Sequence, residues 1–364
     1  MAIYVDHTHL GRHVTGLERI TLELFSPSAL APLEIIPVTA SSKLRMIATQ
    51  SFQLPLQLAA SRSILLCPGF PPSPLLLPFA DRVLPYIHDL FLLSRQADLN
   101  WRARLYMSKP FELVVRSYPR FLVNSIDTRT KLAAVCRPDA QITLYRPPVR
   151  NVFELDPAAR PTRTGQPMAL RLIALGTVEP RKNLAAAARI LTALRRLGFA
   201  DATLDIAGRR GWGPDWDALA ACPGVKLHGY QTTEQARRLL DDADVFICTS
   251  HEEGLGLPLL EAQYAGLPIV APKDAIFREI LGNSGIFIDT SDPAAAASTI
   301  ANAVDQPGWR ATYVSLASRN LQRWNELALG DRAAAIELMT KLAEQRTSTT
   351  TRTELEPRQQ GPTT

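Results

Sequence analysis

The sequence predicts an α/β protein built from two Rossmann-like domains in tandem, and two observations predict it. Short apolar runs alternate with helical or irregular segments along the chain, the pattern of a parallel sheet with crossover helices. A proline-loaded stretch from Arg146 to Pro167, with Pro147, Pro148, Pro157, Pro161 and Gly165, breaks that alternation near the middle, as an interdomain linker does. At 364 residues, with 46% hydrophobic and 21% charged residues, the chain is long enough for two cores.

Before the linker the apolar runs are Ile3 to Val5, Ile35 to Val38, Ile64 to Leu66, Val83 to Ile87, Phe121 to Val123 and Ile142 to Leu144. Thr15-Gly16-Leu17-Glu18-Arg19 opens a helix after the first run; one glycine there fits a ligand loop or an ordinary tight turn. His88-Asp89 follows the fourth run, at a strand's carboxyl end, where open α/β sheets place ligands. After the linker come Leu170 to Leu175, Thr203 to Ala207, Val225 to Leu227, Val245 to Cys248, Ile269 to Ala271 and Ile286 to Ile288. Their helices carry clear signals: Asn183 as a cap with Gly198 as a stop, a Thr232 to Gln235 capping box, and an Asp292-Pro293 start. The predicted domains are 1–155 and 156–324, with a helix near 325–345 joining the first domain. After Trp309 the pattern gives two helical stretches ending near Leu342, then a polar, disordered tail over 346–364.

Composition excludes several classes. The four cysteines, Cys67, Cys136, Cys222 and Cys248, show no C-x-x-C spacing, which speaks against a zinc site or a disulfide framework and for a reducing cytoplasm. The N-terminus lacks the pattern of an export signal. Prolines cut the apolar region from Ile64 to Leu93 well short of the ~18 to 20 residues a spanning helix needs. A net charge of +5 gives a mildly basic surface with no demand for nucleic acid. Between Arg102 and Arg137, cations interleave with Trp101, Tyr106, Phe111 and Tyr118, opposed only by Glu112 and Asp127. That pattern suits a face meeting an anionic membrane, or a solvated helix face whose aromatics are core.

The most informative stretch runs from Thr249 to Ala262. It reads as a strand end, a loop with Gly254 and Gly256, and a helix start with Pro258 at its first turn. Free N–H groups at such a junction favour phosphate. Glu253 and Glu261, with seven residues between them, suit sugar hydroxyls, which donate hydrogen bonds. Cations for phosphates stand in Gly176-Thr177-Val178-Glu179-Pro180-Arg181-Lys182-Asn183, at the end of the first strand of the second domain. Gly208-Arg209-Arg210-Gly211 ends the next strand and adds to the same rim.

Gly176 to Asn183 and Glu253 to Ala262 resemble the G-x-x-E-P-R-K-N and E-G-F-G-L-P-x-x-E-A motifs of family 4 retaining glycosyltransferases with the GT-B fold. The likeness runs from Leu170 to about Asp292, and is looser in the first domain, at Thr15 to Arg19, His88-Asp89 and Asn124-Ser125. The chain departs by Leu255 in place of Phe and by His251-Glu252 before Glu253. The resemblance implies two Rossmann-like domains facing each other across a cleft, and retaining transfer of a hexose from a nucleotide-diphosphate sugar to a glycan or lipid-linked acceptor in surface polysaccharide synthesis. No metal or other cofactor is implied. The donor leans to GDP-mannose, with UDP-sugars as the alternative.

Matched residue by residue, Glu253 meets the donor sugar with His88 near the reacting centre, and Glu261 holds the ribose. Arg181 and Lys182 hold the diphosphate. Gly16, Gly208, Gly254, Gly256 and Leu257 contribute backbone approach, and the segment to Tyr230 lines the base. Competing readings are a binding module without turnover, a metal-dependent GT-A transferase using Asp215-Trp216-Asp217 or Asp242-Ala243-Asp244, and a dehydrogenase, for which no G-x-G-x-x-G follows a strand. The expected setting is the cytoplasm, peripheral on the inner face of the membrane.

Overall fold

The computed structural model describes residues 2–11, 16–94, 108–160 and 169–353, with side chains to 344. The chain divides into two compact units, Met1–Pro147 with Ala328–Thr364, and Pro148–Leu327. Each holds a six-stranded, all-parallel sheet.

In the first unit the strands are β1 (Ile3–Asp6), β2 (Ile35–Val38), β3 (Ile64–Cys67), β4 (Val83–Ile87), β5 (Arg120–Val123) and β6 (Gln141–Leu144), in the order β2-β1-β3-β4-β5-β6. β3 and β4 are buried at every position, so they read as continuous apolar runs and not as alternating ones. Leu65, Val83, Ile87, Val114, Phe121 and Leu132 close the core around them.

The second unit holds β7 (Arg171–Leu175), β8 (Thr203–Ala207), β9 (Val225–Gly229), β10 (Val245–Ile247), β11 (Ile269–Pro272) and β12 (Gly285–Ile288), in the order β12-β11-β10-β7-β8-β9. Counted from its own first strand this is the doubly wound 3-2-1-4-5-6 order, which reverses direction between β7 and β10. Loops leaving those two strands diverge there, and a crevice at the strands' carboxyl ends follows from the topology.

The expected strands all form, and the sequence signals that set the helices are visible. Thr232 and Gln235 make a reciprocal capping box for Thr233–Asp242, and Asp292 caps Pro293–Val304. Gly198, at φ +106, ends Leu184–Arg196 as a left-handed stop, and Phe199 N–H returns to Leu194 O. Asn183 is corrected. It precedes that helix in the left-handed region, φ 47 and ψ 40, and its side chain makes no capping bond. The preceding 3-10 turn, Pro180–Lys182, must reverse sharply into the helix, and Asn tolerates that conformation better than most residues.

Two expectations at the C-terminus are overturned. One helix, Trp309–Thr353, replaces the two stretches, and it continues where the tail was expected to begin at 346. Once nucleated, a helix adds a backbone bond for each residue fixed, so polar residues extend it without a core of their own. Residues 354–364 lie outside the described residues, as does 161–168 of the expected linker. The linker's earlier part packs on the second unit: Tyr264 Oη donates to Val149 O, and Arg160 donates to Ala265 O and to Ala243 O.

Candidate functional site

The crevice where the second sheet reverses is filled by a charged cluster. Arg181 and Lys182 sit on the 3-10 turn after β7, and Glu253 lies on the loop after β10. Lys182 Nζ donates to Glu253 Oε1 at 2.6 Å, and Arg181 Nη1 donates to Glu253 Oε2 at 3.1 Å and to Glu252 O at 3.0 Å. Ser250 Oγ adds a third donor to Glu253, at 2.6 Å. The other edge of the Arg181 fork, Nε and Nη2, closes on Glu179 Oε1 at 3.1 and 2.8 Å. The two loops are also tied through backbone, His251 N to Arg181 O, and through Thr249 Oγ1 to Asn183 O. Gly176, Lys182, Ser250, Glu253 and Gly256 line a small cavity beside this network.

Electrostatics follow from burial and contact. Burial alone pushes the Glu253 carboxyl up, but Lys182 and Arg181 outweigh it and hold it below the ordinary carboxylate range. Burial likewise works against the Arg181 charge, and Glu253 with Glu179 reverses that, leaving its affinity for the proton raised. Glu253 is therefore a fixed anion between two cations, in a partly dehydrated place where charges act strongly.

Other expected residues fall around this centre. Gly208 packs so closely on β7 that a Cβ there would lie 1.7 Å from Gly176 O; this glycine is required by the strand ends themselves. Gly256, at φ +71, forms the left-handed entry to Leu257–Gln263, where Leu257 and Glu261 are buried. Gly254 is half-buried on the loop before it. Leu255, the departure from the family pattern, is buried. Tyr230, just beyond β9, is exposed, with the Arg209 guanidinium 4.6 Å over its ring.

Gly16 and His88 belong to the first unit. Gly16 is the exposed first residue of Gly16–Phe25, with open space where a Cβ would be; Thr15 lies outside the described residues. His88 donates from Nε2 to Pro68 O at 2.6 Å, since a carbonyl only accepts, and its Nδ1 therefore carries the lone pair. Burial lowers its pKa to about 4, against the pull of Pro68 O and with some help from His9. A neutral, singly oriented imidazole results.

Sequence reasoning missed the remaining members. Glu179 and Ser250 hold the charged cluster, and each lies within a segment already singled out. In the first unit, Asp6, Thr8 and His9 occupy the end of β1, where that sheet reverses between β1 and β3. Asp6 Oδ1 accepts from Thr8 N and Oγ1 at 2.9 and 2.6 Å, and Asp6 Oδ2 accepts from Gln50 Nε2 at 2.9 Å. Thr21 Oγ1 donates to Leu17 O, so His9 Nε2 is the donor to Thr21 Oγ1. Asp6-His7 directly follows the predicted run Ile3 to Val5, and that position was the available signal.

Among the described residues, no group of three or more His, Cys, Asp or Glu is placed to hold a metal. The two D-x-D candidates are held by cations: Asp217 accepts from Arg210 and Asp244 from Arg310, each at 2.7 Å. In the basic segment, Phe111 and Tyr118 are buried in the core, and Arg116, Lys131 and Arg137 pair with Glu112, Asp127 and Asp139. For these residues the structure favours the core-and-solvated-face reading. Trp101, Arg102, Arg104 and Tyr106 lie outside the described residues.

With this geometry in view, residues 169–306 match the family model described as Glycosyl transferases group 1. The match lies within the second unit and leaves the first unit outside it. The domain contains both motifs and the whole charged cluster. Over 160 residues the chain is 31% identical to O-antigen chain mannosyltransferase B of Escherichia coli, covering 41% of this chain and 41% of that protein. It therefore spans about four-tenths of that relative's length. Sucrose-phosphate synthase from Thermosynechococcus elongatus superposes with a TM-score of 0.69 at 15% identity, over 96% of this chain and 99% of that one. HepE from Anabaena, solved in complex with UDP and glucose, gives 0.65 at 14% identity, over 94% and 100%. Likeness at that identity concerns the fold, which is GT-B with two Rossmann-like units, and the GT-A alternative falls with it.

Proposed function

We propose that this chain transfers a hexose from a nucleoside-diphosphate sugar to a hydroxyl of a glycan or lipid-linked acceptor, with retention at the anomeric carbon and without a metal. The observation carrying it is the Glu253, Lys182 and Arg181 cluster at the reversal of the second sheet. In this reading, Lys182 turns from Glu253 to the donor diphosphate, and the freed carboxylate accepts from the sugar's hydroxyls. As the glycosidic bond breaks, charge grows on the leaving diphosphate, and a fixed cation there lowers the barrier more than it stabilises the ground state. Glu261 serves the ribose, and the end of β9 near Tyr230 serves the base.

The name of the E. coli relative supports surface polysaccharide synthesis and mannose, and so favours GDP-mannose. UDP in the HepE structure keeps a UDP-sugar as the second reading. The enzyme works on the inner face of the membrane.

A thermal-shift screen against UDP, GDP, ADP and their sugars tests the donor, because a site-specific ligand stabilises by mass action, ~2.7 kcal/mol at a hundredfold excess over Kd. GDP and GDP-mannose are expected to raise the midpoint, and transfer is expected to survive a chelator. No shift with any nucleotide would sink the donor site. A shift without transfer or hydrolysis across many acceptors would instead mark a binding module.

A further inference from the structure

Between β2 and β3 runs a helical segment made of Lys43–Ala48, a wide π turn Thr49–Gln53, and Leu54–Ala60. Its inner side is ordinary: Leu54, Pro55 and Leu58 are buried. Its outer side is not. Leu44 is 81% exposed, Ile47 54%, Phe52 62% and Leu56 69%. The step of five from Ile47 to Phe52 spans the π turn, whose i to i+5 bonding takes up the extra residue, so the four side chains share one stripe.

The first turn shows that the exposure is not incidental. Lys43–Ala48 buries none of its residues, yet it is helical, with Ser42 Oγ accepting from Arg45 N. Short helices draw their stability from packing an apolar face, and this one has an apolar face that stands exposed among the described residues.

Charge selects the occupant. From Ile35 to Ala80 the sequence contains Lys43, Arg45 and Arg62 and no Asp or Glu. A second copy docked on the same face would bring cations to cations, with no carboxylate in the segment to balance them. Anionic lipid headgroups complement both features, apolar side chains entering the acyl boundary and cations remaining at the phosphates.

We propose that this face of the 43–60 helix lies on an anionic lipid bilayer, with Leu44, Ile47, Phe52 and Leu56 inserted and Lys43 and Arg45 on headgroup phosphates. The surface is the one through which the membrane location in the proposed function is achieved, and to that extent it rests on that reading. Lipid binding can nevertheless fail while transfer to a soluble acceptor persists, and the reverse.

The test is flotation of the full chain at low salt, without donor, on phosphatidylcholine vesicles with and without phosphatidylglycerol. The chain is expected to float with the anionic vesicles only. Replacing Leu44, Phe52 and Leu56 together with Ser should cut the bound fraction about tenfold or more, and Lys43→Glu with Arg45→Glu should remove the preference for phosphatidylglycerol. The thermal midpoint of the serine variant should not move, since these side chains are largely exposed in the free chain. Failure to float on anionic vesicles, or equal flotation by the serine variant, would overturn the proposal. So would light scattering that shows a dimer turned into a monomer by the same three changes, which would make a second copy the occupant.

Discussion

The two sheets place polar clusters at corresponding points, the carboxyl ends of strands where the strand order reverses, yet they solve burial in opposite ways. In the second unit a carboxylate is held by two cations and a hydroxyl. In the first, Asp6 is satisfied by a hydroxyl, a backbone N–H and an amide, and His7, His9 and His88 each have a neighbouring oxygen within hydrogen-bond reach. The difference teaches where charge can be exchanged. A carboxylate–cation cluster can trade Glu253 for a diphosphate, because the incoming anion replaces the outgoing one on the same cation. In the first unit the Asp6 carboxylate is held by uncharged donors and His88 is a neutral imidazole, groups suited to hydroxyls.

The largest expected effects break the charged cluster. Lys182→Ala should lower turnover by ~100- to 1000-fold, the scale of losing one fixed transition-state donor. Its cost in stability should be smaller, because Glu253 keeps Arg181 and Ser250. Glu253→Ala should lower turnover as much and also destabilise, since it leaves Arg181 and Lys182 without their shared partner. Breaking a buried pair from one side costs ~3 to 5 kcal/mol, and the partial exposure of both cations puts this case at or below the low end. Steady-state kinetics and denaturant midpoints on the two variants check the contrast. Near-normal turnover in both would remove the cluster from the reaction.

The placement of the charged cluster was half visible in the residues. The strand runs could be seen because parallel strands buried on both faces are continuous apolar runs, and Val83 to Ile87 or Val245 to Ile247 admit little else. Glycines and prolines marked the loops. What could not be seen is that Arg181 and Lys182 both donate to Glu253, 72 and 71 residues away along the chain. Pattern shows that cations and a carboxylate flank a site; only the reversal of strand order brings them within hydrogen-bond distance. The basic segment stayed ambiguous for a related reason. Interleaved aromatics look the same on a membrane face and in a core, and Phe111 and Tyr118 prove to be core.

Acid separates the two clusters more finely. His88 has a folded pKa near 4, below its ordinary 6.5, so the unfolded chain binds the extra proton first as pH falls. Its contribution to stability is complete above about 6.5 and is lost towards pH 4, a change of up to a few kcal/mol. Glu253 also has a depressed folded pKa, but its contribution is present above the ordinary carboxylate value and is lost only below it. His88→Gln should therefore flatten the upper part of the acid limb and leave the lower part, as read by denaturant midpoints across that range. If the variant keeps the wild-type slope between pH 6.5 and 4, the buried neutral imidazole is wrongly assigned.

The smallest expected effect concerns the backbone that aims the charged cluster. Asn183 is held at φ 47 between the turn bearing Arg181 and Lys182 and the helix Leu184–Arg196, and its carbonyl accepts from Thr249 on the loop that carries Glu253. Asn183→Gly should be close to neutral, because glycine enters the left-handed region freely and the Asn side chain caps nothing. Asn183→Ala should cost ~1 kcal/mol or less, because both residues carry a Cβ and Asn differs only in tolerating the left-handed region several-fold better. If the strain is instead released by tilting the turn, the loss should appear in turnover more than in stability, since Lys182 is the adjacent residue. Measuring both quantities on the Ala and Gly variants separates the two outcomes: equal behaviour of Ala and Gly would mean that the left-handed turn plays no part in holding the cations in place.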